Sequence, residues 1–337
     1  EAIAQRNDWT EQQLADRSVP TAGFDETSTI TLEYGERTFE IKLNSDLMPV
    51  LYNMDGKAIK NLPEPRQADD PESIKSAKLQ FIGCKKEIKQ VVDQQSRRLH
   101  EAMCIGRIWQ ASEWRQFVLC HPLLGRLAQQ LIWQEIGKNG IGQQLFRPSV
   151  DKVLIDIHDN EVPLQDDANL RLAHGTQMHA QEIDEWLTHM WDYKVKPLFP
   201  QISQALPNFD AKSGALHISD REGWLADAYR LSSVFEKRGY IRGTAGEGGM
   251  IREYLKNYDG VNIAVEIGFT GVFVQGGNNT AALTRMNFQR THRGDRETQY
   301  IPLDQVPKVL LAESYADYLA VAGACDGFDP DWESKVL

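Results

Sequence analysis

The sequence contains no Cys-x-x-Cys pair. Its four cysteines, Cys84, Cys104, Cys120 and Cys325, stand far apart, which excludes the spacing of a zinc knuckle or a redox dithiol. Cys84 and Cys104 fall on helix-like sequence, so free buried thiols and a reducing cytoplasm are the expectation. There is no apolar run long enough to cross a bilayer, which excludes a helical membrane span. An initiator Met and a signal-like opening are also missing, since the chain begins at Glu1, and a fragment of a longer polypeptide is expected. Positive charge is in deficit: 37 Lys and Arg against 48 Asp and Glu give a formal net charge of -11, which opposes nonspecific binding to nucleic acid or anionic lipid. No His-Glu-x-x-His, no phosphate loop ending in Gly-Lys-Ser/Thr and no EF-hand oxygen spacing occurs, so no metal or cofactor is expected.

What is present is ordinary globular patterning. The 337 residues are 41% hydrophobic and 25% charged, enough for two domains or one two-lobed unit. Residues 1–27 are polar, with a short helix near Glu11 to Ala15. Thr29 to Tyr34 and Thr38 to Leu43 alternate apolar with polar around Gly35, the pattern of a half-buried hairpin. Met48 to Tyr52 and Lys57 to Ile59 flank Asp55-Gly56 as a second hairpin. From Glu72 the period changes to 3.6, and Ile74, Phe81, Ile88 and the Val91-Val92 pair predict a helix to about Met103, with Lys85, Lys86, Glu87 and Lys89 on its wet side.

The stretch Val91 to Glu135 reads as the organising centre, two helices joined near Trp109 to Glu113. Phe117, Leu124, Leu127, Ala128, Leu131 and Ile132 make the apolar stripe of the second, and Arg97, Arg98, Arg107 and Arg115 flank it. Leu145 to Pro148 and Val153 to Ile157 are candidate strands. A helix is predicted over His179 to Tyr193, with Ile183, Trp186, Leu187 and Met190 inward, and another over Trp224 to Phe235. Trp109, Trp114, Trp133, Trp186 and Trp191 are read as core. A short helix over Ile251 to Asn257, strands over Val261 to Ile267, Gly271 to Gln275, Ala282 to Phe288 and Glu297 to Ile301, and a closing helix from Val306 to Leu319 complete the chain. The predicted fold class is α+β: N-terminal hairpins over 1–70, a helical middle over 71–237, and a Gly-rich lobe of mixed or antiparallel sheet over 238–337, possibly as one interlocked unit.

Arg238 to Gly249, RGYIRGTAGEGG, is the stretch most suggestive of a site. Its glycines let backbone amides converge on an anion, and a helix after it would offer its positive end. The candidate ligand-binding residues are therefore Arg238, Arg242, Gly246, Gly248, Gly249 and Arg252, the arginines supplying bidentate phosphate contacts. A tight turn between helix and sheet accounts for the same glycines. His121, before Pro122, reads as a cap; His174 and His179 lack metal-ligand spacing. Arg285, Arg290, His292 and Arg293 form a basic group beside Asp295 and Glu297. Asn278-Asn-Thr280 matches a glycosylation acceptor and reads as a polar turn.

Dispersed segments resemble the C-terminal conserved region of bacterial MolR-like (molybdate metabolism regulator-like) proteins: Arg97-Arg-Leu99 with Glu101-Ala-Met103, Arg107-Ile-Trp109, His121-Pro-Leu-Leu124, Leu172-Ala-His174, Pro197-Leu-Phe-Pro-Gln201 and Arg238-Gly-Tyr240. The resemblance implies a regulatory association and no catalytic residues. The functional expectation is a noncatalytic regulatory or protein-interaction module of a larger bacterial protein, partnered by another protein or by the remainder of a longer chain. The alternatives are a nucleotide or ADP-ribose-type phosphate-ligand binding domain or enzyme, and a nucleic-acid-associated module.

Overall fold

The computed structural model describes residues 6–67, 69–202, 206–209, 214–273, 279–291 and 299–336. It divides into two compact units, Glu1–Ile202 and Ser203–Leu337. The α+β expectation is met: antiparallel hairpins, then helices, then a mostly antiparallel sheet lobe. Among the described residues no helix is long and apolar enough to cross a membrane.

The first unit opens with α1 (Glu11–Arg17), closed at its start by a capping box between Thr10 and Gln13. A four-stranded antiparallel meander follows: β1 (Ile30–Tyr34), β2 (Arg37–Leu43), β3 (Pro49–Tyr52) and β4 (Ala58–Ile59). Ile30, Leu32 and Tyr34 alternate inward as the period of two requires. Across that sheet lies α2 (Pro71–Cys104), about 51 Å long at 1.5 Å per residue. Asp70 caps it by accepting from the Ser73 amide at 2.8 Å, and Pro71 begins it where no amide is needed. Its buried face runs Ile74, Ala77, Phe81, Cys84, Ile88, Val91, Gln95 and Leu99. Gly106, at φ 64°, ends it: the Gly106 amide donates to Met103 O at 3.1 Å and the Arg107 amide to Ala102 O at 2.9 Å, a stop that requires a left-handed residue.

Beyond this point the predicted second helix of the centre is broken up. Trp109–Gln110 is β5, Ala111–Trp114 is a single helical turn, α3, and Arg115–Leu119 winds as a π-turn. A further short helix, α4 (Leu124–Ala128), gives way to β6 (Trp133–Ile136). The cause is local. Pro122 cannot continue a helix, His121 turns its ring to accept from the amides of Leu123 and Leu124 at 3.2 and 3.1 Å, and Gly125 lies so close to Leu119 that a Cβ there would sit 2.4 Å from its carbonyl oxygen. Strands β7 (Gly142–Pro148), β8 (Leu154–Ile155) and β9 (Asn169–Leu172) complete a five-stranded antiparallel sheet in the order β5-β9-β6-β7-β8. Trp133 meets Trp109 and Trp114 edge to face at 5.4 and 5.0 Å, and all three rings are buried. Helix α5 (Ala180–Asp192) packs Trp186 against Ile132, Leu145 and Ala173.

In the second unit, β10 (His217–Ile218), β11 (Trp224–Asp227), β12 (Ile241–Arg242), β13 (Met250–Tyr258), β14 (Ile263–Phe273), β15 (Thr280–Arg290) and β16 (Gly327–Phe328) form one seven-stranded sheet. The second unit differs from the sequence expectation in two places. Trp224 starts a strand and the helix, α6 (Ala228–Lys237), begins four residues later, while Ile251 to Asn257 is the middle of β13. In β13 the buried residues Ile251, Tyr254 and Tyr258 sit three or four apart because a bulge between Ile251 and Glu253 interrupts the alternation, which imitates a helical period. Phe235 of α6 stacks on Tyr254 at 4.4 Å, and α7 (Lys308–Ala322) covers the same core, with Tyr318 donating to Thr284 O at 2.7 Å.

Candidate functional site

Strands β13, β14 and β15 turn Ile267, Phe269 and Met286 into the core, so alternation brings Glu253, Glu266, Gly268 and Thr270 to the opposite face. Bulges between Ile251 and Glu253 and between Ile267 and Phe269 bend this face locally. The result is a cleft of about 720 Å³ lined by Arg252, Glu253, Glu266, Thr284, Arg285 and Tyr300, among others. Gly268 forms its floor of necessity, because a Cβ there would lie 2.5 Å from Thr284 Oγ1.

The polar groups of the cleft are organised around Glu266. Asn287 donates to its Oε1 at 3.0 Å and the Tyr300 hydroxyl to its Oε2 at 3.4 Å. Burial, and then the neighbouring Glu266 charge, pushes the Glu253 carboxyl above its ordinary value, with Arg252 opposing. The Tyr300 phenol is raised for the same two reasons. Arg252 and Arg285 make no ion pair with a carboxylate among the described residues; Arg252 Nε donates to Met250 Sδ at 3.3 Å. Two guanidinium groups without an ion pair among the described residues can grip an anionic group, while the carboxylates and hydroxyls beside them accept from hydroxyls or an amine on the same molecule.

Of the six residues singled out from the sequence, Arg252 lines this cleft. The glycines form the connection of a hairpin: the Gly246 amide donates to Met250 O and the Gly249 amide to Gly246 O, with Gly248 and Gly249 both at positive φ. Strand β13 follows them, so no helix end points at an anion there. Arg238 holds Asp317 at 2.7 Å together with Lys256 at 3.1 Å, and Arg242 pairs with Glu236 at 3.4 Å on the surface. The basic group is divided as well: Arg285 lines the cleft and Arg290 ends β15, while His292, Arg293, Asp295 and Glu297 lie outside the described residues, as does Asn278. Glu253 and Glu266 were not singled out from the sequence; the signal was a charged residue at alternate positions of otherwise apolar strands.

A second, smaller cleft of about 340 Å³ in the first unit is lined by Asp159, Asp184, His189, Asp192 and Tyr193, among others. His189 is buried, and its Nε2 lies 3.3 Å from Arg147 Nη2 while its Nδ1 lies 3.9 Å from Asp159. Burial first, and then the Arg147 charge, lowers its pKa. Because the Arg147 guanidinium can only donate, His189 Nε2 is the acceptor of that contact. His121 and His174 are likewise occupied with backbone amides, as the reading of His121 as a cap anticipates.

Residues 56–240 match the family described as a domain of unknown function, DUF4132. The chain belongs to that family. It is also similar to the uncharacterized protein YehI of Escherichia coli strain K12, at 28% identity over 206 residues, 60% of this chain and 17% of that protein. The chain thus spans about a sixth of the length of the relative it matches. No solved structure matches it. These matches overturn the resemblance to MolR-like regulators: the family shown is DUF4132, and of the residues that suggested a regulator His121 caps a turn and Arg107 pairs with Asp16.

Proposed function

We propose that the second unit is a noncatalytic binding module for a small phosphate-bearing ligand, a nucleotide or a sugar phosphate, acting in regulation within a longer protein. The observation that carries this reading is the pair Arg252 and Arg285, both open to one cleft and neither neutralised by an ion pair among the described residues. A cleft of this volume suits a ligand of nucleotide size. Glu222, Glu253 and Glu266 outnumber the two guanidinium groups, which favours a ligand that brings hydroxyl or amino donors along with its anion. The same carboxylates oppose a nucleic-acid backbone, whose repeated phosphates demand a run of cations.

Thermal-shift measurements against nucleoside monophosphates, nucleoside diphosphates, ADP-ribose and sugar phosphates test this. A member of that panel raises the melting temperature in a concentration-dependent way by binding the folded state alone. Arg252→Ala and Arg285→Ala, both at exposed positions, abolish the shift without lowering the melting temperature of the free protein. No shift across the panel, or one indifferent to both substitutions, contradicts the proposal.

A further inference from the structure

Two helices of the first unit present outward faces that are mirror images in charge. On α5, Asp184, Leu187, Thr188 and Trp191 follow the spacing i, i+3, i+4, i+7 and lie along one stripe. That stripe is exposed, Leu187 at 50% and Trp191 at 83%, although the sequence reading turned both inward. Asp184 and Asp192 bracket the apolar pair, eight residues and so about 12 Å apart. On α2, Leu79 and Ile82 are exposed at 63% and 68%. Lys78 and Lys86 bracket them, also eight residues and about 12 Å apart, with Lys75 and Lys89 extending the positive face. None of these lysines, nor Asp184 or Asp192, makes an ion pair among the described residues.

We infer that the α5 face binds the α2 face of a second copy of this chain. Trp191 and Leu187 cover Leu79 and Ile82, and the matched spans set Asp184 and Asp192 against Lys78 and Lys86. An aromatic anchor ringed by complementary charge is the arrangement that concentrates binding energy in a small contact. Each copy carries both faces, so the contact pairs copies reciprocally or continues head to tail. The inference is independent of the cleft in the second unit.

Sedimentation velocity of the 337-residue chain between about 1 and 500 μM tests it over the range in which a small patch associates. The mass rises with concentration at low salt and returns toward that of the monomer near 0.5 M salt, where the screening length is about 4 Å. Asp184→Lys with Asp192→Lys sets like charges against each other and abolishes association; Lys78→Glu with Lys86→Glu does the same. Mixing the two variants restores it, because each then supplies the complement the other lost, and this recovery also shows that both are folded. A monomer at every concentration overturns the inference and assigns the faces to another protein or to further segments of a longer chain. Association that survives either reversal, or a mixture that stays monomeric, overturns it equally.

Discussion

Asp16 joins α1 to the end of α2. Its carboxylate accepts from Arg98 and Arg107, including an Arg107 Nη1 contact at 3.3 Å, and from the Trp109 indole at 3.0 Å. Asp16 and Arg107 are both buried, so removing one leaves the other charged and unpaired. Asp16→Ala is expected to cost about 3–5 kcal/mol in urea unfolding; a loss below about 1 kcal/mol would show that water replaces the carboxylate. Arg98 and Arg107 are evident in the sequence, but their shared partner Asp16, in a polar segment 82 and 91 residues upstream, is not. His189 offers a second test at this scale. Because burial and Arg147 lower its folded pKa, the unfolded chain binds the extra proton more readily. Its contribution to stability is complete above the unfolded value near 6.5 and is lost as pH falls through the folded value. The lowered His121 acts in the same direction. The melting temperature should therefore fall between pH 7 and pH 5, and His189→Gln, which keeps an acceptor for Arg147, should flatten that fall.

Among the elements, those with an uninterrupted period were legible: α2, α5, α7 and the first two hairpins. Their one-sided burial leaves its own trace in the residue order. Two elements depart from the expectation because a local device alters their period, the π-turn after Trp114 and the bulge in β13; β11 departs because its four residues run straight into the helix that follows. The exposed Trp191 was misread for another reason, since a periodic pattern does not say which side of a helix meets the core. Two turns invite substitution. Gly125→Ala places a Cβ against the Leu119 carbonyl and should destabilise by about 1–3 kcal/mol. Lys194 stands at φ 52°, with its amide donating to Trp191 O and the Val195 amide to Met190 O, a helix stop that glycine satisfies better. Lys194→Gly should raise stability by about 0.5–1 kcal/mol, and a lower midpoint in urea would refute that account of the turn.

For the whole molecule, composition and alternation conveyed the fold class, because they report burial averaged over many residues. The cleft was only partly visible. Arg252 and Arg285 each attracted attention, under different readings, but their meeting depends on the pairing of β13, β14 and β15, which residue order alone does not state. The family match covers residues 56–240, whereas the cleft is built mainly from residues 252–300, so its test must be local. Hydrogen-exchange mass spectrometry with millimolar nucleotides and sugar phosphates is the most direct measurement. Slowed exchange is expected only in peptides of β13, the bulged half of β14 and β15 around Arg285, and is expected to be absent in the Arg252→Ala protein. Unchanged exchange there, or protection only elsewhere in the chain, would contradict the proposed ligand site.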